Sequence, residues 1–141
     1  MTDMRFDGSV WCNIDVTLRN LDAIYTQQIE SMGLTVVEWY IMRTLYEEDG
    51  QMASRLADAV GRAATSFTPI LDKLQDKGYI ERRPHPSDRR AILVYLTRKG
   101  RSIEEEVKAS LDVETKLRQQ FKNNDWQAFQ NVITSLQTMK T

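Results

Sequence analysis

Apolar residues recur every three or four positions through the first part of the chain: Trp11, Ile14, Leu18, Leu21, Tyr25, Ile29 and Met32. That is one stripe of a long amphipathic helix, and Gly33 is expected to end it. Thr35-Val36-Val37-Glu38 then has the form of a capping box. In that arrangement the Thr35 hydroxyl and the Glu38 carboxylate each satisfy the other residue's backbone N–H. Leu34 and Trp39 sit where a hydrophobic staple would be. A second helix is predicted through Leu45 and Tyr46, stopping at Gly50.

A short helix follows over Ser54–Val60, with Leu56, Ala57 and Val60 on its buried side and Gly61 as a turn. The next runs from about Thr65 to Lys77, carries Phe67, Ile70, Leu71 and Leu74 at helical spacing, and stops at Gly78. There the period changes. In "YIERR" and "AILVYLT" it shortens toward two, with the β-branched and aromatic residues that suit strands. Pro84 and Pro86 are expected to keep the tip between these strands out of any ladder. Thr97 can cap a further helix carrying Ile103, Val107, Leu111, Leu117 and Phe121, which "NNDWQ" is expected to break. A last helix shows Trp126, Phe129, Val132, Ile133, Leu136 and Met139. There is no internal repeat and no low-complexity segment.

The predicted fold class is mainly α with a small β-hairpin. The outer helices each show one apolar stripe, which a helix cannot bury alone. They are expected to pack on one another or on a second copy of the chain.

Composition narrows the class. The 141 residues suit one domain; 41% apolar and 28% charged residues are ordinary for a soluble globular protein. No apolar run is long enough to span a bilayer, and the N-terminus lacks the basic and apolar regions of a secretory signal. The single cysteine, Cys12, excludes an intrachain disulfide and fits the cytoplasm. No Cys/His cluster, glycine-rich phosphate loop or Ser/His/Asp set is present. The expectation is therefore no enzyme, no cofactor and no metal; His85, the only histidine, cannot by itself supply a zinc site.

Charge alters the picture more. The net charge is −1, yet residues 51–101 hold 11 Lys/Arg against 5 Asp/Glu, and the remainder 8 against 15. A positive middle on an acidic body fits a nucleic-acid-binding face; chance clustering on a solvated surface is the alternative. Two helices joined at Gly61 form a helix-turn-helix candidate. Its second helix presents Thr65, Ser66, Thr68 and Lys73 outward, at a helix end that offers free N–H groups to phosphate. The hairpin adds a basic wing. An arginine at a loop tip can enter a narrow minor groove, and Asp88 is expected to fix the guanidinium of Arg90 by a charge-assisted pair. Arg82, Arg83 and Arg89 are expected to face the sugar-phosphate backbone, and His85 to touch phosphate or nothing.

These residues carry a resemblance. Leu56–Gly100, "LADAVGRAATSFTPILDKLQDKGYIERRPHPSDRRAILVYLTRKG", resembles the winged helix-turn-helix core of the MarR family of transcriptional regulators. The most specific features are Asp-x-Arg at Asp88 and Arg90, and Leu-Thr-x-x-Gly at Leu96–Gly100. The resemblance implies N-terminal (1–34) and C-terminal (101–141) dimerisation helices around a winged helix-turn-helix domain (35–100). It implies a homodimer on a pseudo-palindromic site of double-stranded DNA, probing the major groove with the recognition helix and the minor groove with Arg90. It also implies release, in many members, by a small aromatic or phenolic ligand bound between the dimerisation and DNA-binding parts. A repressor is the expected sense of regulation.

Two residues depart from the common pattern. Arg62 follows the turn glycine where an apolar residue is usual, and can reach a phosphate instead. Pro69 lies in the recognition helix where a basic residue is frequent, so that helix is expected to begin late, near Thr65 or Ser66, or to be distorted. Thr68-Pro69 is similar to the hydroperoxide-sensing branch, whose sensor cysteine lies early in the first helix. Cys12 is one residue out of that place, and a buried structural thiol is the other reading. Trp11, Tyr25, Trp39, Tyr40 and Met42 can line a ligand pocket near Arg43, or they can be plain core. The alternatives to a ligand-controlled DNA regulator are a thiol switch through Cys12 and a helical dimerisation module whose wing binds protein.

Overall fold

Ser9 opens the first helix: its hydroxyl accepts the Cys12 amide at 3.3 Å, and α1 runs over Val10–Ile29. The computed structural model describes residues 3–110 and 112–141. The chain divides into two compact units, Met1–Ser110 and Leu111–Thr141.

In the first unit α1 gives way to a single 3-10 turn, Glu30–Met32, and Gly33 closes it in the left-handed conformation. The capping box forms as expected: the Glu38 amide donates to Thr35 Oγ1 at 3.3 Å and the Thr35 amide to Glu38 Oε1 at 2.8 Å. It starts α2, Val36–Glu47. That helix stops three residues before Gly50. The Gln51 side-chain amide donates to the carbonyls of Thr44 (3.0 Å) and Glu48 (2.7 Å), bracing the C-terminal end of the helix. Gln51 and Met52 then form β1, a two-residue strand that the apolar pattern is too short to announce.

Next come α3 (Ala53–Ala59), α4 (Ala64–Asp76), β2 (Ile80–Pro84) and β3 (Ile92–Leu96). The sheet is antiparallel in the order β1-β3-β2. Pro84 does not stand outside the ladder; it is the last register position of β2, opposite Ile92. A proline is tolerated there because β2 is an edge strand. Ile29, Trp39, Ile41, Met42, Leu45, Leu56, Phe67, Leu74, Ile80, Val94 and Val107 form the buried core.

The helix expected from Thr97 to Phe121 is several short ones. The Thr97 hydroxyl accepts the Gly100 amide at 3.0 Å and starts α5, Arg98–Ser102. A Cβ on Gly100 would collide with the Tyr79 carbonyl oxygen, so the signature glycine marks the close approach of α5 to the chain just before β2. After a non-helical Ile103, α6 covers Glu104–Ala109. It stops at Ser110, whose Oγ accepts from Trp39 Nε1 at 2.8 Å and donates to the Val107 carbonyl at 2.5 Å. Leu111, expected on the same stripe, lies outside the described residues.

The second unit holds α7 (Asp112–Gln119) and α8 (Asn123–Thr138). "NNDWQ" does not break a helix; it opens α8, with Lys122 as N-cap and the Trp126 amide bonded to the Lys122 carbonyl at 2.9 Å. Asn and Asp favour the first turn of a helix as readily as they favour loops, and composition alone does not separate the two. The Phe121 ring stacks on Trp126, and Phe129 meets Trp126 at a tilt.

Candidate nucleic-acid interface

The turn between α3 and α4 is set by Gly61, at φ 69°. The Arg62 amide reaches back to the Ala57 carbonyl at 2.8 Å and the Val60 amide to that of Leu56 at 3.2 Å, so α3 is closed by its own backbone. Leu56 and Ala57 pack inward with Phe67, Leu71 and Leu74 of α4. What α4 leaves outside is Thr65, Ser66, Thr68, Pro69 and Lys73, with Arg62 just before it, all exposed. Lys73 belongs to the last turn of α4, away from the end that carries the hydroxyls.

Pro69 neither delays nor interrupts the helix. Helix α4 starts at Ala64 and runs through Pro69 to Asp76. The cost is one missing backbone donor, which leaves the Thr65 carbonyl without its i+4 partner. No side chain caps α4 at Ala63. The amides of Ala64 and Thr65 therefore face outward at the positive end of the helix dipole. The Ser66 and Thr68 hydroxyls donate to the Ala63 and Ala64 carbonyls at 3.0 and 3.4 Å, so their lone pairs remain free to accept.

The wing tip, residues 85–91, is held by its own side chains. His85 Nδ1 accepts the amides of Ser87 (3.1 Å) and Asp88 (3.2 Å), so His85 is a brace for the loop. Backbone bonds from His85 to Ala91 and from Ala91 to Asp88, both 3.1 Å, close the turn. Asp88 does not grip the Arg90 guanidinium. Its Oδ1 accepts the Arg90 backbone amide at 3.0 Å, and no described ion pair joins the two side chains. An amide two residues ahead lies within reach of a short Asp side chain in a turn, and the local bond wins.

The four wing arginines separate. Arg82 donates to Gln75 Oε1 (2.8 Å) and Asp72 Oδ1 (2.5 Å) of α4, so it does not face outward as expected. Arg83 pairs with Glu81 and lies over the Tyr95 ring, 4.4 Å from its centroid. Arg89 and Arg90 are exposed, and no described interaction engages their side chains. A cleft of about 370 Å³ has Ala64, Phe67, Thr68 and Leu71 of α4 on one side and Asp88, Arg90, Ala91 and Ile92 of the wing on another. Helix α4 and the tip thus face one space.

Two supports escaped the sequence reading. Asp49 accepts the Leu96 amide at 2.8 Å and the Arg101 guanidinium at 2.6 Å, anchoring the wing's return strand. Glu38, almost fully buried, accepts Lys77 Nζ at 2.6 Å and so ties the start of α2 to the end of α4. Only the capping-box role of Glu38 was visible in sequence. The Tyr46 hydroxyl donates to the Gly100 carbonyl at 2.6 Å. Burial first, and the nearby Glu104 charge second, hold that phenol protonated well above its usual range.

The other predicted residues lie elsewhere. Tyr25, Trp39, Tyr40 and Arg43 meet: Trp39 contacts both tyrosine rings, and the Arg43 guanidinium lies 5.2 Å from its centroid. Trp39 and Met42 are fully buried core residues. Trp11, 78% exposed near the start of α1, joins no described ring contact. Cys12 is half-buried one residue further on.

A two-helix unit followed by a braced, basic hairpin defines a winged helix-turn-helix protein. Solved structures share this fold over almost the whole chain. They include the transcriptional repressor CouR bound to a 23-mer DNA duplex (TM-score 0.79, 19% identity, 96% of this chain and 97% of that one). Reduced AbfR bound to DNA gives TM-score 0.79 at 20% identity over 94% and 93% of the two chains. Residues 34–92 match the model of the MarR family. Among curated relatives, the HTH-type transcriptional regulator MhqR of Bacillus subtilis is 29% identical over 82 residues. That match spans 58% of this chain and 57% of MhqR. The regulator SarZ of Staphylococcus epidermidis is 25% identical over 78% of this chain and 76% of its own length. No helix among the described residues is long and apolar enough to cross a membrane.

Proposed function

We propose that the protein is a homodimeric, cytoplasmic transcriptional regulator that binds a pseudo-palindromic DNA operator. In this reading α4 enters the major groove and Arg90 the adjoining minor groove. The observation that carries it is the wing tip. Arg89 and Arg90 stand exposed and unengaged on a loop braced by His85 and Asp88, across one cleft from the hydroxyl-bearing face of α4. A solvated hairpin needs neither the brace nor the unpaired charge. Structural neighbours captured on DNA, such as CouR and AbfR, support the same use of the fold.

The dimer rests on apolar surface. Trp11, Ile14 and Leu18 lie exposed along α1, and Phe129 and Val132 along α8. A soluble chain rarely leaves such stripes uncovered, and a second copy supplies matching ones. Repression, and release by a small aromatic or phenolic ligand, complete the proposal and rest on the family resemblance. The buried Trp39 and Met42 serve packing first.

The test is selection of duplex DNA from a random pool, then titration of the selected sequence at several salt concentrations. Two protomers should bind each duplex. Affinity should fall by roughly 10³–10⁵ between 50 and 200 mM salt if six to ten phosphates are neutralised. Salt-independent binding, or no selected sequence, would favour a wing that binds protein.

A further inference from the structure

Arg82 stands in the middle of β2, opposite Val94 of β3. The two-residue period of a strand puts it on the Ile80 side of the sheet, with Glu81 and Arg83 on the other. Its Nε and Nη2 donate to Gln75 Oε1 and Asp72 Oδ1 of α4. Those acceptors are three residues apart, hence on one helix face. A planar guanidinium can serve both at once; an ammonium group cannot reproduce that fork. Half of the Asp72 side chain is exposed, so the pair adds little to global stability. What it fixes is geometry.

Other bonds join the residues that follow α4 to those that follow β3. The Thr97 hydroxyl donates to the Gly78 carbonyl at 2.5 Å, and Lys99 Nζ to the Lys77 carbonyl at 2.7 Å. They anchor the start of β2, at the end of the hairpin away from the tip. Arg82 acts further along β2, toward the tip.

We propose that Arg82 is a positioning residue for specificity: it sets the separation of α4 from the wing tip. It thereby sets the spacing, within one half-site, between the base pairs under α4 and the flank under Arg90. The inference rests on the DNA-binding reading above. Moving the flank by one base pair shifts it about 3.4 Å along the duplex and about a tenth of a turn around it. A wing held at one separation cannot follow both changes, and a wing free to pivot can.

The experiment uses the full chain and the duplex it selects, beside two duplexes with one base pair inserted or deleted between half-site core and flank. Wild-type protein should lose about tenfold or more on the altered spacings, the scale of a mismatched site. Arg82→Ala should shrink that penalty to about threefold or less, with the salt slope unchanged because no phosphate contact is lost. Asp72→Ala combined with Gln75→Ala keeps the arginine and removes its acceptors. That variant should relax spacing in the same way, and its melting temperature checks folding. An undiminished spacing penalty in both variants overturns the proposal. So does a salt slope that falls by about one in Arg82→Ala, which would make Arg82 a phosphate contact. A wild type that selects no sequence fails the DNA reading itself and removes this inference with it. A wild type that binds tightly but ignores spacing fails this inference alone.

Discussion

The base and the tip of the wing hold the same residue type and use it differently. At the base, Arg82 and Arg83 are engaged by Asp72, Gln75, Glu81 and the Tyr95 ring. At the tip, Arg89 and Arg90 are left open, while His85 and Asp88 hold the backbone beneath them. An arginine already paired brings little new charge to a phosphate and gives stiffness. An unpaired arginine on a braced loop keeps its charge and its reach. The basic middle of the sequence is therefore not one uniform patch, and counting its arginines overstates the phosphates it can neutralise.

The largest effect that would sharpen this contrast is at the tip. Arg90→Ala should cost roughly 1–3 kcal/mol on the selected duplex and flatten any preference for A·T-rich flanks, because a minor-groove arginine senses groove width. Titration on two duplexes differing only in flanking A·T content measures both. Equal losses on the two would reduce Arg90 to another backbone contact.

Asp88 comes next, and here the comparison can be broken cleanly. Asp88→Ala removes the acceptor for the Arg90 amide and should weaken binding roughly two- to tenfold, the worth of one such hydrogen bond. Asp88→Asn keeps an acceptor oxygen and loses the charge, so it should bind as wild type or tighter. Should Asn prove as weak as Ala, the carboxylate acts through the guanidinium after all. Tighter binding by the Ala variant would mean that charge alone governs the tip.

How much of this was legible in the sequence depended on range. Elements fixed by near neighbours were: the capping box at Thr35 and Glu38, the turn at Gly61, the cap at Thr97. Two apolar runs with period two were enough to show the hairpin. Elements fixed by distant partners were not legible. Strand β1 is two residues long and exists because β3 offers it an edge. Ser110, where α6 stops, is bonded by the indole of Trp39, far away in sequence. Pro69 shows the limit of a local rule, since packing of Phe67, Leu71 and Leu74 carries α4 across the missing hydrogen bond. In the wing, two of the residues singled out received the wrong partner. Strand period already put Arg82 on the Ile80 side, and Asp72 and Gln75 at helical spacing were the available signal for its role. Asp88 was assigned to a side chain where an amide two residues on was nearer.

The smallest expected effect tests the other half of the comparison. Arg83 is exposed enough to touch DNA, yet it lies over Tyr95 and pairs with Glu81. If the base of the wing is structural, Arg83→Ala should lower stability by about 0.5–1 kcal/mol, the usual size of an exposed cation–π contact. In a domain of this size that is a fall of a few degrees in melting temperature. Binding should weaken only slightly, equally on all duplexes, and the salt slope should fall by clearly less than one, because Glu81 already offsets most of the charge. Arg83→Lys keeps the charge and loses the planar stacking, so it should reproduce the thermal change and leave the slope alone. A full unit of slope lost in Arg83→Ala, with no thermal shift, would place Arg83 beside Arg89 and Arg90. The division between a stiffening base and a reaching tip would then have to be drawn at Arg82.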